Sequence, residues 1–208
     1  MYDEFDDFLG FDDDDMAECV SCGRWYCRCC GCDCWFEQTS FEYKKVVLEG
    51  PKGTGKSTVS KRFIEEEDYV YYHSSSETEN DLKYHLDLLK LDNNQVIIDR
   101  FSLGEIIYPE ITKGRKSKLT KEEFNETFNF DGVVYVILYA SDIQLLKDRV
   151  LNRGKSFTEE EFQLIEDSNK AFEKYGKELQ NGKNIVCIDV CENDSNDIYY
   201  KILDMMEE

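Results

Sequence analysis

Residues 50–57 read Gly-Pro-Lys-Gly-Thr-Gly-Lys-Ser, the spacing G-x-x-x-x-G-K-[ST]. Glycines at 50, 53 and 55 let the backbone curl, so that successive amides aim at one anion. A helix beginning at Lys56 adds the favourable end of its dipole. In such a loop the lysine, Lys56, reaches the β- and γ-phosphates, and the hydroxyl of Ser57 turns to Mg²⁺. Gly50, Lys52, Gly53, Thr54, Gly55, Lys56, Ser57 and Thr58 are therefore the candidate ATP-binding residues. The chemistry implied is the binding of a nucleoside triphosphate; the loop alone names no reaction.

Two further groups supply charge for phosphoryl chemistry. Asp99 and Arg100 follow the apolar run Gln95 to Ile98, at the strand end where ligands meet an open α/β sheet. Asp99 is placed to hold Mg²⁺ through water or to accept the proton of an attacking hydroxyl. Arg100 can fork onto acceptor oxygens. A plain strand-end ion pair is the alternative. Arg149 and Arg153 are four apart, which puts them on one helix face, with Lys155 after the break at Gly154. Such a segment can close over a triphosphate; a solvated basic helix end is the alternative. KGRKSKLTK, residues 113–121, holds five bases in nine residues. It reads as an acceptor-site lining, a contact for a phosphodiester backbone, or a solvated loop. Phe101, Tyr71, Tyr72 and Tyr108 read as stacking surfaces for a base or as core.

The elements that must position these residues alternate. Strands are expected at Lys44–Glu49, Tyr69–Tyr72, Gln95–Ile98, Gly132–Ala140 and Asn184–Val190. Helices are expected from Lys56 to about Glu67, and at Asp81–Leu91, Asp142–Asn152, Thr158–Leu179 and Asp197–Met206. Leu82, His85, Leu86 and Leu89 share one face, and Thr158 with Glu161 is in capping-box register. The alternation predicts an α/β fold with a parallel sheet covered by helices on both faces.

Three segments resemble one family. LEGPKGTGKSTVSKRF (48–63) looks like the opening of thymidylate kinases and related deoxynucleotide kinases. IIDRF (97–101) resembles their Asp-Arg-Phe/Tyr motif, and LLKDRVLNRGKSF (145–157) their arginine-bearing lid, which deoxynucleoside kinases share. The resemblance covers about residues 44–204. It implies a three-layer fold with a five-stranded sheet in the order 2-3-1-4-5, use of ATP and Mg²⁺, and transfer to a deoxynucleoside monophosphate. It also implies catalytic roles for Lys56, Asp99, Arg100, Arg149 and Arg153, with Ser57 and Asp99 serving Mg²⁺. Lys52 stands where some thymidylate kinases carry a catalytic arginine. Residues 73–81, HSSSETEND, lack the arginine and the proline-glycine turn usual there in thymidylate kinases. Deoxynucleoside kinases usually have a catalytic glutamate after the second strand, where Glu77 or Glu79 stand in, and Glu-Arg-Ser rather than Asp-Arg-Phe on the third. Three functions stay open: a deoxynucleoside monophosphate kinase, a kinase of a nucleoside or of a modified base in DNA, and a non-catalytic nucleotide-binding module.

Outside that body the composition changes. The chain has 208 residues and a net charge of −20. Residues 1–40 hold 11 acids, 2 bases and seven of the nine cysteines. Residues 1–18 combine acids with aromatics, lack the regions of a signal peptide, and read as a disordered acidic tail or a docking segment. Residues 19–40 carry Cys19, Cys22, Cys27, Cys29, Cys30, Cys32 and Cys34. Cys19-x-x-Cys22 has the spacing of a Zn²⁺ half-site. A zinc knuckle and an unstructured reduced tract are both open; disulfides are disfavoured without a secretory signal. Residues 41–208 form the nucleotide-binding body, with Cys187 and Cys191 read as packing residues. The absence of an apolar run of about 18 residues excludes a membrane helix. The expected partners are a nucleotide substrate and, as open options, a second copy of the chain or DNA. The expected location is cytoplasmic.

Overall fold

A computed structural model describes residues 16–18, 25–27, 45–74, 81–91, 95–128, 130–154, 156–182 and 184–207. The chain divides into two compact units, Met1–Phe41 and Glu42–Glu208. In the first, β1 (Met16–Glu18) and β2 (Trp25–Cys27) pair antiparallel, Met16 opposite Cys27. The side chains of the seven clustered cysteines lie outside the described residues, as do the acidic residues of the tail before Met16.

The second unit is an α/β sandwich of three layers. Its strands are β3 (Lys45–Glu49), β4 (Val70–His73), β5 (Val96–Asp99), β6 (Val133–Tyr139) and β7 (Ile185–Asp189). They are all parallel in the order β4-β5-β3-β6-β7, which is second, third, first, fourth and fifth within the body. The helices are α1 (Lys56–Glu66), α2 (Leu82–Leu89), α3 (Ser102–Ile111), α4 (Lys121–Phe128), α5 (Ile143–Leu151), α6 (Glu159–Leu179) and α7 (Ser195–Glu207). The interior strand β6, VVYVILY, is buried from Val133 to Leu138, because helices cover both faces of a parallel sheet. One core layer packs Val47, Ile98, Leu103, Ile107, Phe128, Tyr135 and Phe172 between the sheet and the helices α3, α4 and α6. Val59 and Phe63 of α1 are buried in the other layer, where the Phe63 ring meets Tyr199 of α7.

Local signals account for several boundaries. Asp81 accepts from the Tyr84 amide at 2.8 Å, and Asp142 from the Gln144 amide at 2.9 Å. Thr158 and Glu161 form the expected capping box. Two helices beyond the sequence reading are α3 and α4. α4 starts on a second capping box: Thr120 Oγ1 accepts from the Glu123 amide, and Glu123 Oε2 accepts from the Thr120 amide. That T-x-x-E signal was available. α3 starts on Phe101, which offers no side-chain cap, and contains Pro109. Its amides are instead satisfied by Glu49, more than fifty residues upstream, a partner no local pattern announces. Cys191 is exposed rather than packed, and Cys187 is partly buried. Among the described residues no helix is long and apolar enough to cross a membrane.

Candidate active site

The phosphate loop spans the turn from β3 to α1, and its shape follows from its glycines. At Gly50 φ is +147°, and a Cβ there would lie 2.5 Å from the carbonyl oxygen of Leu138. Gly55, with φ +91°, is the residue before α1, and the space a Cβ would enter is open. The bare amide end of α1 therefore faces a cavity, as anion binding requires. The hydroxyl of Thr54 donates to the Pro51 carbonyl at 2.9 Å and braces the turn.

Lys56 is only 7% exposed. Its Nζ donates to the carbonyls of Gly50 at 2.7 Å and Pro51 at 3.0 Å, so the cation is folded back into the loop. Burial is the largest influence and pushes the ammonium down to about 8, while Asp99 and Glu49 hold it up.

Asp99 ends β5 beside the loop and is 2% exposed. Its Oδ2 accepts from Ser57 Oγ at 3.2 Å and from the Tyr71 hydroxyl at 3.1 Å, with His73 Nδ1 at 3.8 Å. Its Oδ1 is buried and has no hydrogen-bond partner among the described residues. A serine hydroxyl and an under-used carboxylate form a hard-oxygen donor set that fits Mg²⁺. The phenol of Tyr71 rises to about 12, through burial first and the Asp99 charge second.

Arg100 follows with φ +71°, a conformation non-glycine residues seldom adopt, so this turn from β5 into α3 stores strain. Its amide still donates to the Leu48 carbonyl at 3.0 Å. The next amides converge on Glu49. Glu49 Oε1 accepts from Phe101 at 3.0 Å, Leu103 at 2.9 Å and Gly104 at 3.3 Å. Burial raises this carboxyl to about 7 against the opposing pull of those amides and Lys56. Glu49 is the site residue that sequence reasoning missed. Its signal was an acid ending an otherwise apolar strand, directly before the loop.

Two clefts meet at the loop. The first, about 320 Å³, is lined by Glu49, Gly50, Lys52 and Arg100, with Phe101 and Tyr108 as aromatic walls and Arg115 and Phe157 at its sides. Lys52 Nζ lies 4.3 Å from the centre of the Phe157 ring, a cation–π contact from the loop to the segment after α5. The second cleft, about 400 Å³, is lined by Gly53, Thr54, Gly55, Thr58, Arg149, Arg153 and the start of α7. Arg149 Nη1 is 3.4 Å from the Gly53 carbonyl. α5 ends at Leu151, so Arg153 sits in the following turn rather than on the helix, yet both arginines line the same cleft. The turn continues through Gly154 at φ +75°. Lys155, Glu77 and Glu79 lie outside the described residues. Of the four aromatics, Phe101 and Tyr108 line the first cleft, Tyr71 is committed to Asp99, and Tyr72 packs on the core.

This strand order, with a phosphate loop between the first strand and first helix of the body, defines the fold of the phosphate-loop kinases. The chain is similar to YorR protein from Bacillus subtilis, solved in complex with phosphorylated GDP, at 25% identity and a TM-score of 0.62, over 78% of this chain and 95% of that one. It is similar in fold to a gluconokinase from Sinorhizobium meliloti, at 17% identity and a TM-score of 0.52, over 80% of this chain and 92% of that one. A deoxyadenosine kinase from M. mycoides with bound dCTP aligns at 20% identity and a TM-score of 0.46, over 77% of this chain and 97% of that one. No protein-family model and no curated protein sequence matches the chain.

Proposed function

We propose that this protein is an ATP- and Mg²⁺-dependent kinase that transfers the γ-phosphoryl group to a deoxynucleoside monophosphate, in the manner of thymidylate kinases. The observation that carries the reading is a pair of clefts bordering one phosphate loop, with Arg100 lining the first and Asp99 hydrogen-bonded to Ser57 of the loop. The second cleft takes ATP. There the loop amides and Lys56 hold the phosphates, which draw Lys56 away from the Gly50 and Pro51 carbonyls. Arg149 and Arg153 neutralise charge as the phosphoryl group leaves. Ser57 and Asp99 would hold Mg²⁺, which would supply neutralisation of the triphosphate charge. Arg100 and Lys52 face the first cleft, where Phe101 and Tyr108 supply flat walls for a base. These cations suit an acceptor that is itself anionic. The phosphorylated GDP bound by YorR supports a nucleotide occupant for a cleft of this fold.

The test is a panel of acceptors incubated with γ-labelled Mg·ATP: deoxynucleoside monophosphates, the parent nucleosides, and DNA carrying modified pyrimidines. Label in a nucleoside diphosphate is expected. Label in DNA or in a nucleoside monophosphate replaces the acceptor assignment. Bound ATP with no transfer to any acceptor makes the chain a nucleotide-binding module.

A further inference from the structure

The basic island at residues 113–121 is divided by the fold. Lys113, Lys116 and Lys118 are exposed, whereas Arg115 turns inward and lines the first cleft. Its Nη2 lies 3.6 Å from Glu105 Oε1, and its guanidinium sits 5.4 Å from the centre of the Tyr108 ring. Glu105 and Tyr108 both belong to α3, so one helix presents both contacts.

The loop is held to α3 by the consequence of a single proline. Pro109 has no amide, so the carbonyl of Glu105, four residues earlier, loses its helical donor. Ser117 Oγ donates to that carbonyl at 2.8 Å. The Leu119 amide in turn donates to Ser117 Oγ at 3.1 Å, and the Leu119 side chain is 4% exposed in the core. Gly114, at φ +84°, makes the reversal that precedes Arg115. The segment is therefore a braced loop that aims one arginine, not a solvated charge run.

Residues 73–81, which follow in sequence from the end of β4, contain no arginine or lysine. We propose that Arg115 is the specificity-determining residue that binds the phosphate of the acceptor, so that a nucleoside monophosphate is preferred to a nucleoside. The proposal rests on the kinase reading above and adds the group that selects the acceptor. A guanidinium set over the Tyr108 ring and beside Glu105 is held at the cleft wall, where its planar fork suits two phosphate oxygens.

Calorimetric binding of the four deoxynucleoside monophosphates and their parent nucleosides to the full chain tests this. The wild-type chain is expected to bind one monophosphate at least about tenfold more tightly than its nucleoside, as a charge-assisted contact implies. Arg115→Ala is expected to lower that ratio about tenfold through loss of monophosphate affinity, with nucleoside affinity retained and any residual preference left to Arg100 and Lys52; Arg115→Lys should fall between. Ser117→Ala, which touches no ligand, should lower monophosphate affinity by a smaller factor. Thermal unfolding of each variant verifies folding. An Arg115→Ala chain that keeps the wild-type ratio overturns the proposal alone. A wild-type chain that prefers the nucleoside overturns the monophosphate-kinase reading and the proposal together.

Discussion

Ser57 donates its hydroxyl to Asp99 Oδ2 at 3.2 Å, joining two segments separated by 42 residues of sequence. The parallel pairing of β3 with β5 brings them together, since Leu48 is in register with Asp99. The contact places an alcohol and a carboxylate on one side of the phosphate loop. Asp99→Asn keeps the shape of that side chain and removes its charge. It is expected to lower kcat on the order of 100-fold and to shift the Mg²⁺ requirement upward, read from turnover across a Mg²⁺ titration.

In the proposed reaction Lys56 is the group that would hold the triphosphate. Lys56→Ala should reduce transfer by at least about 100-fold and weaken ATP binding. Full activity in this variant would remove the loop from the mechanism.

Titration of Glu49 should appear in the stability of the fold. Its carboxyl rises from 4.5 to about 7 in the folded chain, chiefly through burial. Between those values the folded state keeps a proton that the unfolded state has released. The contribution is complete below about pH 4.5 and is lost as pH rises toward 7, a span worth about 3 kcal/mol. Glu49→Gln keeps an oxygen for the amides of α3 and should flatten this slope in urea unfolding measured across that range. Lys56 runs the other way. Its pKa falls to about 8, so the cost of burying its charge is relieved as pH rises from 8 toward 10.5. The same deprotonation should lower kcat/KM for ATP above about pH 8.

A methyl group at residue 50 has no space. Gly50→Ala would place Cβ 2.5 Å from the Leu138 carbonyl, at a φ of +147°. The loop must shift or the strand must, at a cost of about 2 kcal/mol or more. A lower denaturation midpoint together with weaker ATP binding is the expected result.

The strands and the phosphate loop were legible because their signals are local. The run VVYVILY is too apolar for a surface strand, and the loop's glycines are explicit. The capping box at Thr158 was equally readable. α3 was not, because its opening amides are capped by Glu49 from another strand and Pro109 reads as a break. With α3 unread, the direction of Arg115 was hidden too, since Ser117 ties the basic loop to a helix carbonyl that only a helical Pro109 leaves open. The four-residue spacing puts Arg153 on the helix of Arg149, while the chain turns after Leu151. Spacing gave the shared cleft but not the change of backbone.

The most direct measurement is phosphorus NMR of the full chain mixed with Mg·ATP and deoxythymidine monophosphate, repeated with the other three deoxynucleoside monophosphates. A deoxynucleoside diphosphate is expected to appear in step with ADP for at least one of the four, and neither product with Lys56→Ala. ADP and inorganic phosphate without any diphosphate of the acceptor, or unchanged spectra for all four, would contradict the kinase reading.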